Sequence, residues 1–195
     1  MVRRVLFPAL CLMLVGAVAP AGAATASPCL TFSDKVGDES PAVDPSLDLT
    51  SVTFKTSGKS LMAVVKVAKY TNPPLLAPEN RFDVLFSVGG KDVVMFWKDS
   101  PIREVAANAF FQQGIRVNDV VQTADVSGGW AGNTLTMTIR YKTLGEALAA
   151  KVVGTKYTKV SALARAAYGT QATNVTWDSA TSRAGASFVG GAACR

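Results

Sequence analysis

Alternation of apolar and polar residues along short segments is the feature that most constrains the fold of this chain. In residues 134–141, apolar side chains fall on one face of an extended segment and Thr or Arg side chains on the other. A period of two residues is that of a β-strand with one buried face. Similar segments predict strands with the following inner-face residues: Leu61, Ala63, Val65, Val67, Phe82, Val84, Phe86, Val88, Val93, Met95, Trp97, Leu135, Met137, Ile139 and Tyr141.

The connections between these segments favour an antiparallel arrangement. Gly89 and Gly90 join two alternating runs and predict a hairpin, residues 71–80 contain three prolines and predict a loop, and residues 128–133 predict a turn. About eight to ten strands with almost no helix predict an all-β antiparallel β-sandwich, jelly-roll or immunoglobulin-like, with a closed barrel as the alternative. Weaker strands are expected at 48–56, 104–112, 114–122, 156–168, 172–177 and 186–190, and one short helix near 143–150.

The first 26 residues have the pattern of a secretory signal peptide. Arg3 and Arg4 precede an apolar run of about 15 residues, shorter than the roughly 20 that a membrane-spanning helix needs, although a membrane anchor is the alternative. Small residues then permit cleavage after Ala23 or Ala26, and no later segment is apolar and long enough to span a membrane. We expect a secreted, extracellular protein in which residues 27–195 form a single domain.

Two cysteines remain after such cleavage, Cys29 and Cys194, because Cys11 lies in the leader. An even number of cysteines in an oxidising compartment predicts a disulfide; free thiols or pairing between molecules are the alternatives. The bridge would close a loop of about 165 residues, for which the chain-entropy model gives on the order of 5 kcal/mol as an upper estimate. It would also require the two ends of the domain to lie side by side.

Composition excludes several classes of function. The chain contains no histidine, which removes Ser-His-Asp and Cys-His catalysis and His-ligated zinc. Its formal net charge is +6. The charge falls to +4 without Arg3 and Arg4, and no run of Lys or Arg suggests a nucleic-acid surface.

An acidic segment near the N-terminus could bind a hard cation such as calcium. Carboxylates at Asp34, Asp38 and Asp48 surround a glycine turn, and the spacing does not match an EF-hand loop. Asp178 is a fourth candidate ligand, because the predicted disulfide would bring it close to this segment. The alternative is a solvated turn in which Asp side chains accept hydrogen bonds from their own backbone.

Three tryptophans are candidates for ligand binding. Exposed Trp side chains stack on the apolar faces of sugars, and Trp97, Trp130 and Trp177 all lie at the ends of strands or in a turn. The alternative places Trp97 and Trp177 in the core and leaves Trp130, in its Gly-rich segment, as the tryptophan that is hardest to bury.

Short motifs resemble those of small secreted proteins common in actinobacteria. The motifs are Asp34-x-x-Gly37-Asp38, residues 44–52, residues 81–90, residues 177–181 and residues 188–194. Such proteins are similar to the β-sandwich superfamily that includes DOMON domains and family 9 carbohydrate-binding modules. The resemblance implies a jelly-roll-like sandwich and a structural calcium near the acidic segment. It does not imply haem, whose ligands there include histidine, and no sugar-binding aromatic pair can be matched to this chain.

These observations favour a secreted, non-catalytic binding module whose ligand is a glycan or a cell-envelope component. An extracellular protein–protein interaction or structural role is the alternative, and a glycoside hydrolase with paired carboxylates is the third possibility. A monomer is expected, with no nucleic-acid partner and no cofactor other than a structural calcium.

Overall fold

The computed structural model describes residues 29–38, 45–70, 79–99, 113–122, 125–168, 173–191 and 193–194. The predicted signal peptide and the predicted strand at 104–112 lie outside these residues. The described chain forms the following elements: β1 (Cys29–Ser33), β2 (Leu49–Thr56), β3 (Ser60–Val67), β4 (Glu79–Val88), β5 (Lys91–Asp99), β6 (Gln113–Val117), β7 (Val120–Gln122), β8 (Val126–Ala131), β9 (Thr134–Arg140), α1 (Tyr141–Leu148), β10 (Lys156–Tyr168), β11 (Thr173–Thr181) and β12 (Phe188–Val189).

The strands form two antiparallel sheets packed face to face, which confirms the predicted all-β sandwich with one short helix. The five-stranded sheet has the order β1-β2-β3-β9-β8. The seven-stranded sheet has the order β11-β10-β4-β5-β6-β7, with β12 paired to β10. The edge strand β1 of one sheet contacts the edge strand β11 of the other, so the first and last parts of the domain meet along one side of the sandwich.

The core lies between the sheets and is formed by the residues that the alternation predicted. Fourteen of the fifteen predicted inner-face side chains are at most 5% exposed, and the fifteenth, Trp97, is half-buried. Stacked and edge-on rings extend this core from Phe54 to Phe86, Tyr157 and Phe188. Burial of these side chains supplies the main driving force for folding, because each large apolar residue contributes about 1.5 to 3 kcal/mol.

One predicted strand and one predicted turn are wrong in detail. Residues 114–122 form a hairpin, not one strand, because Asn118 and Asp119 adopt left-handed backbone angles (φ 45° and 66°) and reverse the chain. Residues 128 and 129 belong to β8 instead of a turn, and the turn follows at Gly132 and Asn133. Gly128 is required in this strand, because a Cβ atom there would lie 1.8 Å from the carbonyl oxygen of Thr136.

The helix and the ends of the chain follow the predicted layout more closely. The helix begins two residues before the predicted start, at Tyr141, and ends where Ala149 takes a left-handed conformation. Cys29 and Cys194 form the predicted disulfide, with their Cα atoms 5.6 Å apart. Both cysteines lie next to the end of β2. Cys29 of β1 pairs with Lys55, and the Cys194 N–H donates to the carbonyl of Thr56.

Three polar residues on the outer face of β4 are also buried: Arg81, Asp83 and Ser87. The Asp83 carboxylate is 1% exposed and lies 2.6 Å from Nε of Arg81 and 3.3 Å from Nε of Arg165. The Arg81 guanidinium also covers the ring of Phe96, with 4.7 Å between its central carbon and the ring centroid. Asp83 therefore has a structural role as the buried partner of two arginines. In the described ranges, no helix has the length and apolar composition needed to cross a membrane.

Candidate functional site

Three of the four aspartates proposed as metal ligands converge at the edge where β1 meets β11. One carboxylate oxygen from each of Asp34, Asp38 and Asp178 lies within 4.8 Å of those of the other two. We call these three residues the acidic seam. Asp34 and Asp38 follow β1, whereas Asp178 lies about 140 residues later in β11, so the fold assembles the seam from both ends of the domain.

Asp178 reaches the seam because β11 carries a β-bulge. Ala164 of β10 is opposite Asp178, and the next residue, Arg165, is opposite Thr176, which leaves Trp177 as the extra residue. Asp178 shares its face with Ala180, which is fully buried, and is itself 8% exposed. Its two oxygens accept hydrogen bonds from the N–H groups of Leu49 (2.6 Å) and Ser179 (2.7 Å). Since Leu49 belongs to the opposite sheet, the carboxylate joins the two sheets.

The loop after β1 is shaped by Asp48, the fourth predicted ligand. The Asp48 side chain is buried, and its Oδ2 accepts a hydrogen bond from the N–H of Gly37 at 2.9 Å. Gly37 has a φ of +82°, a conformation that glycine adopts readily, and it turns the chain between Asp34 and Asp38. The structure therefore places Asp48 as a positioning residue for the loop, outside the group of three converging carboxylates.

Burial and mutual repulsion make the acidic seam unfavourable for negative charge. Desolvation raises the pKa of Asp34 and of Asp178, and the charge of Asp38 raises both further, against hydrogen bonds from backbone N–H groups that lower them. Oδ2 of Asp34 is buried and accepts no hydrogen bond from the described residues. No Lys or Arg in the described ranges forms an ion pair with any of the three carboxylates.

These properties fit a hard divalent cation. Calcium binds oxygen ligands at about 2.3 to 2.6 Å, so ligands on opposite sides of the ion lie up to about 5 Å apart, and the seam has this spacing. A cation would neutralise the clustered charge and provide a partner for Oδ2 of Asp34. Asp34, Asp38 and Asp178 could hold such an ion, with the remaining coordination supplied by water or backbone oxygens.

A second cluster of polar and aromatic groups lies at one end of the sandwich, around Asp99. The indole N–H groups of Trp97 and Trp130 donate to its two oxygens at 2.8 and 2.7 Å, and the hydroxyl of Tyr70 donates to the same carboxylate. The ring of Trp130 stacks on Tyr70 with 3.9 Å between centroids and meets the edge-on ring of Phe82 at 5.2 Å. We call this group the aromatic cluster.

The aromatic cluster differs from an open platform for sugar stacking. Trp97 and Trp130 are both partly buried and packed against the core, and Trp130 has neighbouring rings at Tyr70 and Phe82. Burial raises the pKa of Asp99 and raises the pKa of Tyr70 to about 12. Trp177 lies in β11, and the structure does not describe its side chain. The sequence did not predict that Asp99 and Tyr70 meet the tryptophans, since a lone acid and a lone tyrosine carry no motif.

Two grooves with cationic and hydroxyl-bearing side chains lie on the described surface. One has a volume of about 660 Å³ and is lined by Gly58, Lys59, Ser60, Ser127, Thr138, Arg140, Tyr141 and Lys142. The other has a volume of about 510 Å³ and is lined by residues of β10, the end of β11 and the following turn, including Lys156, Lys159 and Arg183. Neither lining contains a carboxylate, so both grooves offer cations and hydroxyl groups to a ligand.

No protein-family model matches the chain, and neither a curated protein nor a solved structure matches it. The likeness to DOMON domains and family 9 carbohydrate-binding modules rests on the short sequence motifs and stays a prediction.

Calcium is predicted to stabilise the folded protein through the acidic seam. With a dissociation constant of about 10⁻⁴ M, typical of extracellular sites, 5 mM calcium would add about 2 kcal/mol and raise the melting temperature by roughly 5 °C. Thermal denaturation in calcium and in chelator measures this shift. Asp38→Asn should lose most of it, whereas Asp119→Asn, at the opposite edge of the seven-stranded sheet, should keep it. An equal shift in both variants would contradict the assignment.

The seam also predicts a pH dependence in calcium-free buffer. Because the pKa values of Asp34 and Asp178 are raised on folding, the folded state holds protons that the unfolded state releases, and stability is lost as pH rises through the folded pKa values. Asp38→Asn removes one source of these shifts. Urea denaturation between pH 4 and pH 7 should therefore show the wild type losing stability relative to this variant. A difference that is constant with pH would show that the carboxylates do not interact.

Removing the acceptor at the centre of the aromatic cluster is predicted to destabilise the fold. Asp99→Ala would leave two indole N–H groups without the carboxylate, at a cost of about 2 to 3 kcal/mol. Urea denaturation of this variant gives the value directly. Asp125→Ala is the matched control, since Asp125 is exposed and its loss should change stability by no more than about 0.5 kcal/mol. Equal stability of the two variants would refute the structural role of Asp99.

Proposed function

We propose that this chain is a secreted, non-catalytic binding module whose ligand is a glycan or another component of the cell envelope, and that calcium stabilises its fold. The signal-peptide pattern and the disulfide support export, because disulfides persist in oxidising compartments. The spacing and charge of the acidic seam support a structural cation.

The observation that carries the proposed binding role is the chemistry of the groove of about 660 Å³. Its lining presents hydroxyl, ammonium and guanidinium groups, which is the set of donors that a hydroxyl-rich or anionic polymer requires. Glycoside hydrolysis needs two carboxylates beside the scissile bond, and neither groove supplies one. The grooves therefore favour retention of a ligand over its cleavage.

The alternative of a protein partner is less well supported by the described surface. Four valines are the large apolar side chains that are exposed on the described surface. A docking face for a protein usually gathers such residues into one patch. Val36 lies beside the acidic seam, whereas Val120 and Val121 lie in β7, at the edge of the seven-stranded sheet opposite β11. This separation favours a polar ligand.

Binding to insoluble envelope material tests the proposal. The purified protein should be retained, in a saturable manner, on washed actinobacterial cell walls or on an insoluble polysaccharide, above the level of a reference protein with the same net charge. Retention should survive protease treatment of the walls, because the proposed ligand is not a protein. Loss of retention after protease would favour the protein-partner alternative, and no retention on any of these materials would refute the proposed function.

A further inference from the structure

We infer that the groove of about 660 Å³ between the β2–β3 turn, β8, β9 and the start of α1 binds a negatively charged glycopolymer through its phosphate or carboxylate groups. We call this groove the basic groove. The inference rests on the proposed function and names the class of ligand. Its polar lining residues are Lys59, Ser60, Ser127, Thr138, Arg140 and Lys142.

The charge of the basic groove is the first argument. Three cationic side chains line it, and the lining contains no acid. Among the described residues, Lys59 and Arg140 form no ion pair, and Lys142 reaches only Glu146, at 4.0 Å, with both side chains mostly exposed. Asp125, just before β8, is exposed and forms no ion pair with Arg140. The positive charge is therefore available to a ligand.

The position of the hydroxyl groups is the second argument. Ser60 is opposite Arg140 in the β3–β9 pairing, and Ser127 is opposite Thr138 in the β8–β9 pairing. Cations and hydroxyls thus occupy neighbouring positions on one outer sheet face. A polymer in which charged groups alternate with sugar or polyol hydroxyls would meet both kinds of donor in register. A neutral sugar would instead need an aromatic platform, and the one aromatic in the lining, Tyr141, is buried with its hydroxyl bonded by the Gly191 N–H.

The rigidity of the groove is the third argument. The Tyr141 N–H donates to the carbonyl of Lys59 at 2.9 Å, which fixes the start of the helix against the β2–β3 turn. Within that turn, the hydroxyl of Ser57 accepts from the N–H of Ser60 at 3.0 Å and lies 2.9 Å from its hydroxyl. Because these contacts fix the backbone from which Lys59 and Lys142 extend, a ligand that bridges the two side chains does not have to order that backbone.

The second groove is not part of the proposed binding site. Its Lys159 lies 3.4 Å from the carboxylate of Asp92, which also accepts a hydrogen bond from Ser87. Part of the positive charge of that groove is therefore neutralised within the protein. Its three cations nevertheless equal those of the basic groove in number, which makes it a matched control for non-specific charge effects.

Affinity measurements with defined soluble polymers test the inference. Polygalacturonate supplies carboxylates, poly(glycerol phosphate) supplies phosphates, and dextran is the neutral control. The wild type should bind at least one anionic polymer, with affinity that falls as salt rises, and should not bind dextran. Lys59→Gln/Arg140→Gln/Lys142→Gln should bind about tenfold more weakly, since each exposed ion pair contributes a modest amount. Lys156→Gln/Lys159→Gln/Arg183→Gln should bind within about twofold of the wild type.

Each other outcome is informative. Equal losses in the two triple variants would overturn the assignment to the basic groove and indicate non-specific attraction. Failure of the wild type to bind either anionic polymer, together with retention on cell walls, would overturn the inference and leave the proposed function in place. Failure in both assays would refute both. The melting temperatures of the triple variants should equal that of the wild type, because the substituted side chains are exposed.

Discussion

A carboxylate that faces the core joins the two sheets at one edge of the sandwich. Asp178 is 8% exposed and accepts the N–H of Leu49 from the opposite sheet at 2.6 Å. Removing a carboxylate from water costs several kcal/mol unless hydrogen bonds or a cation compensate for it. Three features surround this group: the bulge at Trp177, the turn at Gly37 that Asp48 holds, and the approach of β1 to β11.

The disulfide acts on the same side of the molecule by a different mechanism. Cys29 begins β1 and Asp34 follows its end, so the covalent bridge and the acidic seam secure opposite ends of one edge strand. A bridge across 165 residues acts mainly on the unfolded chain, by limiting its conformations. The proposed cation would act on the folded state alone, so its contribution would complement that of the disulfide.

Much of the fold could be predicted from the sequence, because alternation reports directly on which side of a strand is buried. Leu135, Met137 and Ile139 show this most clearly, since each is fully buried. The disulfide followed from the number of cysteines and the pattern of a signal peptide. Short turns were harder to predict: the hairpin at Asn118 and Asp119 depends on two left-handed residues within a run that looks continuous.

The candidate sites were partly predictable for a similar reason. The acidic residues near Asp34 form a local cluster, and the disulfide gave a physical reason to add Asp178 to them. The separate role of Asp48 could not be foreseen, because it depends on one hydrogen bond to Gly37. The aromatic cluster was also hidden, since Tyr70, Asp99 and Trp130 are distant in sequence and meet only at the end of the sandwich. The basic groove depends on strand register, which residue types alone do not specify.

The central proposal is that a cation binds at the acidic seam and links the two sheets there. The most direct measurement is anomalous diffraction from crystals grown with calcium or soaked with a lanthanide that replaces it. The account predicts a strong anomalous peak about 2.3 to 2.6 Å from carboxylate oxygens of Asp34, Asp38 and Asp178. A map with no peak at the seam, or with peaks only at isolated surface carboxylates, would contradict it.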